Sequence, residues 1–116
     1  MAELHTITIN LDEIRSRAEA ISQIRLNRTT TPEDELQATL STLARAIDEC
    51  RLAEYALKVE QQKAAEALAE AGYDPDDDSA LARQLTMFRQ YAERFTRRIA
   101  AIDRALEERR ESAPPP

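Results

Sequence analysis

The chain has 116 residues, enough for one domain, and 42% of them are hydrophobic, so it is able to bury a core. The net charge of −6 argues against nucleic acid as a ligand, and a single histidine, His5, excludes Ser/His, Cys/His and histidine-metal sites built within one chain. No apolar run approaches the length that spans a membrane, and residues 1–5 lack the basic and apolar parts of a signal peptide. We therefore expect a cytoplasmic protein.

The first ten residues are predicted to form an N-terminal arm. Residues 6–9, Thr-Ile-Thr-Ile, alternate with a period of two and suit a short extended segment. A four-residue strand is not stable alone. The arm therefore either pairs with another chain or is an irregular lead-in whose isoleucines cap the bundle, and the second alternative is favoured.

A first helix is predicted over about residues 11–27. Asn10 is its N-cap, and Glu13 completes a pattern that resembles a capping box. One apolar face is indicated by Leu11, Ile14, Ala18 and Ile21. Such a face must pack against the rest of the molecule.

Two long helices follow, separated by a short break at residues 72–75. Thr31 supplies an N-cap with Pro32 at the first helical position, and Gly72 suits the left-handed residue that ends a helix. Residues 76–79, three aspartates and a serine, are cap residues for the next helix. The predicted helices span about residues 32–71 and 79–111, and at 1.5 Å per residue they are roughly 60 and 50 Å long.

Both long helices carry a hydrophobic stripe with the heptad spacing of a coiled coil. In the third helix the stripe is uninterrupted and consists of Leu81, Leu85, Phe88, Ala92, Phe95, Ile99, Ile102 and Leu106. In the second helix it has two polar interruptions and consists of Leu36, Leu40, Leu43, Ile47, Cys50, Glu54, Leu57, Gln61, Ala64, Leu68 and Ala71. Helices joined by so short a break must fold back on each other. The prediction is an all-α, elongated antiparallel hairpin with the shorter first helix packed on it, a three-helix bundle.

The turn also predicts how the hairpin aligns. Placing Ala71 opposite Leu81 puts Glu54 opposite Arg98, and Gln61 opposite Tyr91. A buried carboxylate without a partner costs several kcal/mol, so a cation opposite Glu54 supports this register.

The domain bounds, the C-terminal tail and the single cysteine complete the structural prediction. Residues 11–111 are predicted to form a single domain, and residues 112–116, which end in three prolines, a flexible tail. The only cysteine, Cys50, is unable to form an internal disulfide, and its stripe position indicates a small buried hydrophobe.

A second apolar patch lies on the second helix, on the side turned away from its heptad stripe. It is formed by Leu52, Tyr55 and Val59, with Ala56 beside them. A helix with apolar residues on two sides has two neighbours. Either the first helix covers this patch, or the patch is an interface with another chain.

Charge is distributed unevenly along the chain. Residues 1–78 carry 17 acidic and 8 basic side chains, whereas residues 79–116 carry 5 acidic and 8 basic ones. An arginine stripe is predicted on the outer face of the third helix and consists of Arg83, Arg94, Arg97 and Arg104. The favoured interpretation is a solvated face attracted to the acidic helices. The alternative is contact with phosphate, RNA or an acidic partner, although four arginines on an acidic body would bind duplex weakly.

The sequence indicates no catalytic, metal or cofactor site. Asp74, Asp76 and Asp78 alternate as in a calcium loop, but Ser79 replaces its glycine and Leu85 its closing glutamate, so these aspartates are interpreted as helix caps. One glycine in the chain precludes a glycine-rich phosphate loop.

These observations favour a non-enzymatic assembly or adaptor protein that acts through protein contacts, with a homo-oligomer expected. One alternative is a small acidic inhibitor or immunity protein that blocks a larger enzyme, with its acidic helices mimicking nucleic acid. A weaker alternative is an RNA-binding helical hairpin. The 14 arginines against 2 lysines are typical of a GC-rich prokaryotic or phage genome.

Overall fold

The computed structural model of the protein describes residues 10–72 and 80–112, which form three α-helices and no strand. Helix α1 spans Leu11–Ser22, α2 spans Glu33–Glu70 and α3 spans Ala80–Ser112. Helices α2 and α3 pack along each other as an antiparallel hairpin, and α1 packs mainly on α2. The described part of the chain measures 72 × 39 × 20 Å, which confirms the predicted elongated three-helix bundle.

Three predicted features fall outside the described residues. They are the N-terminal arm at residues 1–9, the aspartate-rich caps at residues 76–79, and the tail beyond Ser112. Helix α3 itself includes Ser112, which the sequence assigned to the tail.

The heptad stripes form the core, as predicted. Every stripe residue of α3 is buried or partly buried, and Phe88 and Phe95 are the largest fully buried side chains. The stripe of α2 is likewise buried or partly buried from Leu36 to Leu57. Ile14 and Ala18 add the buried face of α1. Burial of this continuous apolar seam is the main force that holds the helices together.

Helix α1 ends at Ser22, five residues earlier than its apolar pattern predicted. The reason is a turn organised by the Asn27 side chain, whose Oδ1 accepts hydrogen bonds from the Thr29 and Thr30 amides at 2.9 and 3.0 Å. Asparagine competes in this way with helical backbone hydrogen bonds. The start of α1 follows the prediction, because Asn10 Oδ1 accepts from the Glu13 amide at 3.1 Å.

The same turn changes the start of α2. Thr31 was predicted as the N-cap, but Pro32 occupies that position and makes no side-chain cap hydrogen bond. The Thr31 hydroxyl instead accepts from the Asn27 amide at 2.7 Å, so it is already engaged. Three acidic residues in the first turn, Glu33 to Glu35, complement the positive end of the helix.

The predicted alignment of the hairpin is wrong. Glu54 pairs with Arg89, nine positions before Arg98, and Arg98 donates to the carbonyls of Ile21 and Ile24 instead. Nine residues separate the end of α2 from the start of α3, so Ala71 need not lie opposite Leu81. The sequence identified a buried carboxylate that needed a cation, but chose the wrong arginine.

The shifted alignment leaves the C-terminal end of α2 sparsely packed among the described residues. Ala64 and Ala71, both predicted to lie in the seam, are exposed, and so are most of their neighbours. Helix α2 ends at Glu70, one residue before the predicted Ala71, and Gly72 follows with a φ of +84°, the left-handed conformation that glycine adopts at little cost.

Candidate protein-interaction surface

The outer patch, which we define as Leu52, Tyr55 and Val59 of α2, lies on the solvent side of the longest helix. Leu52 is 46% exposed and Tyr55 is 68% exposed, and they are the large hydrophobic side chains classed as exposed within the described residues. Val59 and the adjoining Ala56 are partly buried. Steps of three and four residues put the patch on one side of the helix, whereas neighbouring Ala53 and Leu57 face the core.

Helix α1 does not cover the outer patch. It docks against residues of α2 that precede the patch. There, Nε and Nη2 of Arg17 donate hydrogen bonds to the two carboxylate oxygens of Glu49. Ile21 of α1 lines an open groove together with Ser41 and Arg45 of α2. Of the two alternatives left open by the sequence, the covering of this patch by α1 is therefore excluded.

The C-terminal end of α1 and the turn after it are held by α3. Arg98 donates to the carbonyl of Ile21 in the last turn of α1 at 3.0 Å, and to the carbonyl of Ile24, two residues beyond the helix, at 2.6 Å. Farther along α3, Arg109 donates to the Arg28 carbonyl at 3.0 Å. These contacts fix α1 at the end of the hairpin away from Gly72 and leave the middle of α2 free.

Glu54 is a buried carboxylate on the core side of α2, next to the patch in sequence but facing the opposite way. Arg51 Nη1 lies 2.6 Å and Arg89 Nε 3.0 Å from its two oxygens. Burial raises the pKa of Glu54, but the hydrogen bonds and charges of the two arginines outweigh this effect and hold the pKa below its ordinary value. The carboxylate therefore acts as a structural bridge between α2 and α3.

Cys50 is fully buried, as its stripe position predicted. Burial, followed by the negative charges of Glu49 and Glu54, raises the pKa of its thiol to about 11. Since the thiolate is the reactive form, this cysteine is a poor nucleophile and a packing residue.

The arginine stripe lies on the exposed outer face of α3, where Arg83, Arg94, Arg97 and Arg104 are all exposed. None of the four makes an ion pair with another described residue, and the Arg94 guanidinium lies over the Tyr91 ring at 5.8 Å from its centroid. The same helix also exposes Glu93, Asp103 and Glu107. Acidic side chains interleaved with the arginines weaken the stripe as a surface for phosphate.

Within residues 10–72 and 80–112, no group of three or more His, Cys, Asp or Glu side chains is placed to hold a metal ion. In the same part of the chain, no helix combines the length and the apolar character needed to cross a membrane.

Sequence reasoning missed four charged residues that extend the line of the outer patch in both directions. Arg45 and Asp48 precede it and Lys63 and Glu66 follow it, and all four are exposed. They continue the same spacing of three and four residues, so the helical period alone could have identified them.

Comparisons of the chain with protein-family models, with curated proteins and with solved structures found no match in any of the three.

Proposed function

We propose that this chain is a non-enzymatic helical assembly or adaptor protein of the cytoplasm, which acts by binding protein through the outer patch. The observation that carries the proposal is the exposure of Leu52 and Tyr55 at the centre of α2, on a side that neither α1 nor α3 covers. Grouped apolar side chains of this kind are typical of interaction sites in soluble proteins.

The chemistry of the patch suits a protein partner. Covering the surface that Leu52 and Val59 still expose would contribute on the order of 1 kcal/mol for each side chain. Tyrosine combines a large apolar ring with a polar hydroxyl, which explains its enrichment at protein interfaces. A rigid helix presents these side chains with little loss of conformational entropy on binding.

The reactive groups of the core support a role without catalysis. Cys50 is buried with a raised pKa, and Glu54 is held between two arginines. Both groups are engaged in packing or ion pairing, so neither faces a cleft where it could act on a substrate.

The proposal is tested with Leu52→Glu/Val59→Glu, a double variant that puts two charges into the outer patch. We expect it to keep the helical circular dichroism of the wild type and to lose binding, because buried charges at the centre of an interface are strongly unfavourable. Binding is measured as solution mass across a wide concentration range and by affinity capture from cell extract.

The matched control is Gln84→Glu/Gln90→Glu, which adds the same two charges at exposed positions of α3 and should bind like the wild type. Loss of folding in the patch variant alone would assign the patch to the core. A wild-type chain with neither self-association nor a patch-dependent partner would refute the proposal. One-to-one capture of a basic enzyme that persists in the patch variant would favour the acidic inhibitor.

A further inference from the structure

We infer that the outer patch binds a second copy of this chain, with two α2 helices packed antiparallel about a two-fold axis located between Tyr55 and Ala56. The inference rests on the proposed function, since it uses the same patch, and it adds the identity and orientation of the partner. It is carried by the charged residues that flank the patch.

The exposed line on α2 has an ordered charge pattern. Arg45 and Asp48 lie before the patch, and Lys63 and Glu66 lie after it, so the signs read plus, minus, apolar, plus, minus along the helix. The line covers 22 residues, which at 1.5 Å per residue is about 32 Å of helix. It is therefore long enough for a helix-to-helix contact of several turns.

An antiparallel copy makes this pattern complementary to itself. When the axis passes between Tyr55 and Ala56, Leu52 lies opposite Val59 of the second copy, so the apolar residues meet in the centre. In the same alignment, Asp48 lies opposite Lys63 and Arg45 lies opposite Glu66. Two-fold symmetry repeats each contact, which gives four attractive charge pairs around an apolar centre, the arrangement of a self-complementary interface.

Three other alignments bring like charges together. A parallel pair puts every residue opposite itself, so Asp48 would face Asp48 and Lys63 would face Lys63. Shifting the antiparallel pair by three residues in one direction puts Asp48 opposite Glu66, and in the other direction it puts Arg45 opposite Lys63. Like charges directly opposite each other disfavour an association, so the charge pattern favours the register centred between Tyr55 and Ala56 over these three alternatives.

The four charged side chains are available for such contacts. Among the described residues, Arg45, Asp48 and Glu66 make no ion pair, and Lys63 lies 3.9 Å from Glu60, the longest of the ion pairs seen there. A single helix-to-helix contact is at the small end of stable interfaces, so we expect a reversible dimer that forms as concentration rises.

The experiment uses the full chain in two charge-reversed forms, Asp48→Lys and Lys63→Asp, studied by sedimentation separately and as an equimolar mixture. Each variant alone puts like charges at two symmetry-related contacts, so its dissociation constant should rise about tenfold. In a mixed dimer, the two introduced side chains face each other with opposite charges, and the unchanged Lys63 of one copy faces the unchanged Asp48 of the other. Association in the mixture should therefore return to near the wild-type level.

The control pair is Glu107→Lys and Arg97→Asp, which reverses exposed charges on α3 and should change nothing, alone or mixed. Recovery in the mixture of the α2 variants, without recovery in either variant alone, is the expected result. A wild-type chain that stays monomeric at every concentration overturns the inference, and a different protein captured through Leu52 and Val59 would then leave the proposed function standing. A dimer that is lost in the Leu52→Glu/Val59→Glu variant but not restored by mixing overturns the antiparallel register.

Discussion

The two ends of the hairpin are made from the same two helices but differ in how they are held. At the end away from Gly72, α1 and the turn after it pack on α2, and Arg98 and Arg109 of α3 bind their carbonyls. At the end near Gly72, the residues of α2 after Gln61 are mostly exposed among the described residues, although the heptad spacing continues there. We call these the pinned end and the bare end.

The difference shows that a hydrophobic stripe is necessary for packing but does not ensure it. Ala64 has the correct spacing, yet it lies in the part of α2 that the shifted alignment carries past the start of α3. Ala64 and Ala71 also have small side chains, so they would contribute little even if they were covered. Stability should therefore be concentrated at the pinned end and in the middle of the bundle.

The largest effect is expected when a leucine is replaced by alanine at each of the two ends in turn. Leu36→Ala removes a fully buried side chain at the pinned end and should lower the free energy of unfolding by about 2–5 kcal/mol. Leu81→Ala removes a partly buried side chain at the bare end and should cost about 1 kcal/mol or less. Urea unfolding at one low protein concentration measures both values. Equal losses would contradict the division of the hairpin into two unequal ends.

A smaller effect is expected from the arginine that holds α1. Arg98→Ala removes one hydrogen bond to the last turn of α1 and one to the turn that follows it, and should cost about 1.5–3 kcal/mol, because hydrogen bonds from charged donors are strong. Hydrogen exchange should accelerate most in α1 and the following turn. The control is Arg97→Ala, since Arg97 is exposed and makes no ion pair with a described residue. Uniform acceleration across all three helices would contradict a local role for Arg98.

The smallest effect concerns Glu54, between the two ends. Its pKa is lowered in the folded chain from the ordinary 4.5, so its contribution is complete above pH 4.5 and is lost as the pH falls through the folded value. Stability should therefore decrease in acid more steeply in the wild type than in Glu54→Leu. That variant should be near neutral at pH 7, because leucine fills the buried position while Arg51 and Arg89, whose side chains are about half exposed, stay solvated without their partner.

The acid sensitivity of the wild type and of Glu54→Leu is measured by thermal unfolding across pH 3–7. Glu19→Gln, at an exposed position of α1, is the control and should follow the wild type. A Glu54→Leu variant with the full acid sensitivity of the wild type would show that other carboxylates dominate the response.

Much of the fold could be predicted from the sequence, because the heptad spacing of α2 and α3 determines which sides face each other. Cys50 and Phe95 were placed in the core by spacing alone, and both are fully buried. The ends of the helices were harder. Asn27 was read as the last residue of α1, but its side chain organises the turn that follows an earlier end.

The register could not be predicted, because α3 carries several arginines and only the packed structure shows which of them lies opposite Glu54. Arg98 was assigned to Glu54, and Arg89 takes that place. For the candidate site, spacing identified Leu52, Tyr55 and Val59 but could not decide whether α1 covers them. The answer depends on where the turn after Ser22 places α1 along α2. That placement is determined by tertiary packing and not by the spacing of residues within a helix.

The contacts of Arg98 and Arg109 have a consequence for the order of folding during synthesis. These side chains bind backbone groups that lie 74–82 residues earlier in the chain. On a ribosome, α1 would leave the exit tunnel long before the arginines that hold it are translated. Because α1 packs mainly on α2, we expect it to dock there first and to be fixed at its C-terminal end only after the part of α3 that carries these arginines has emerged.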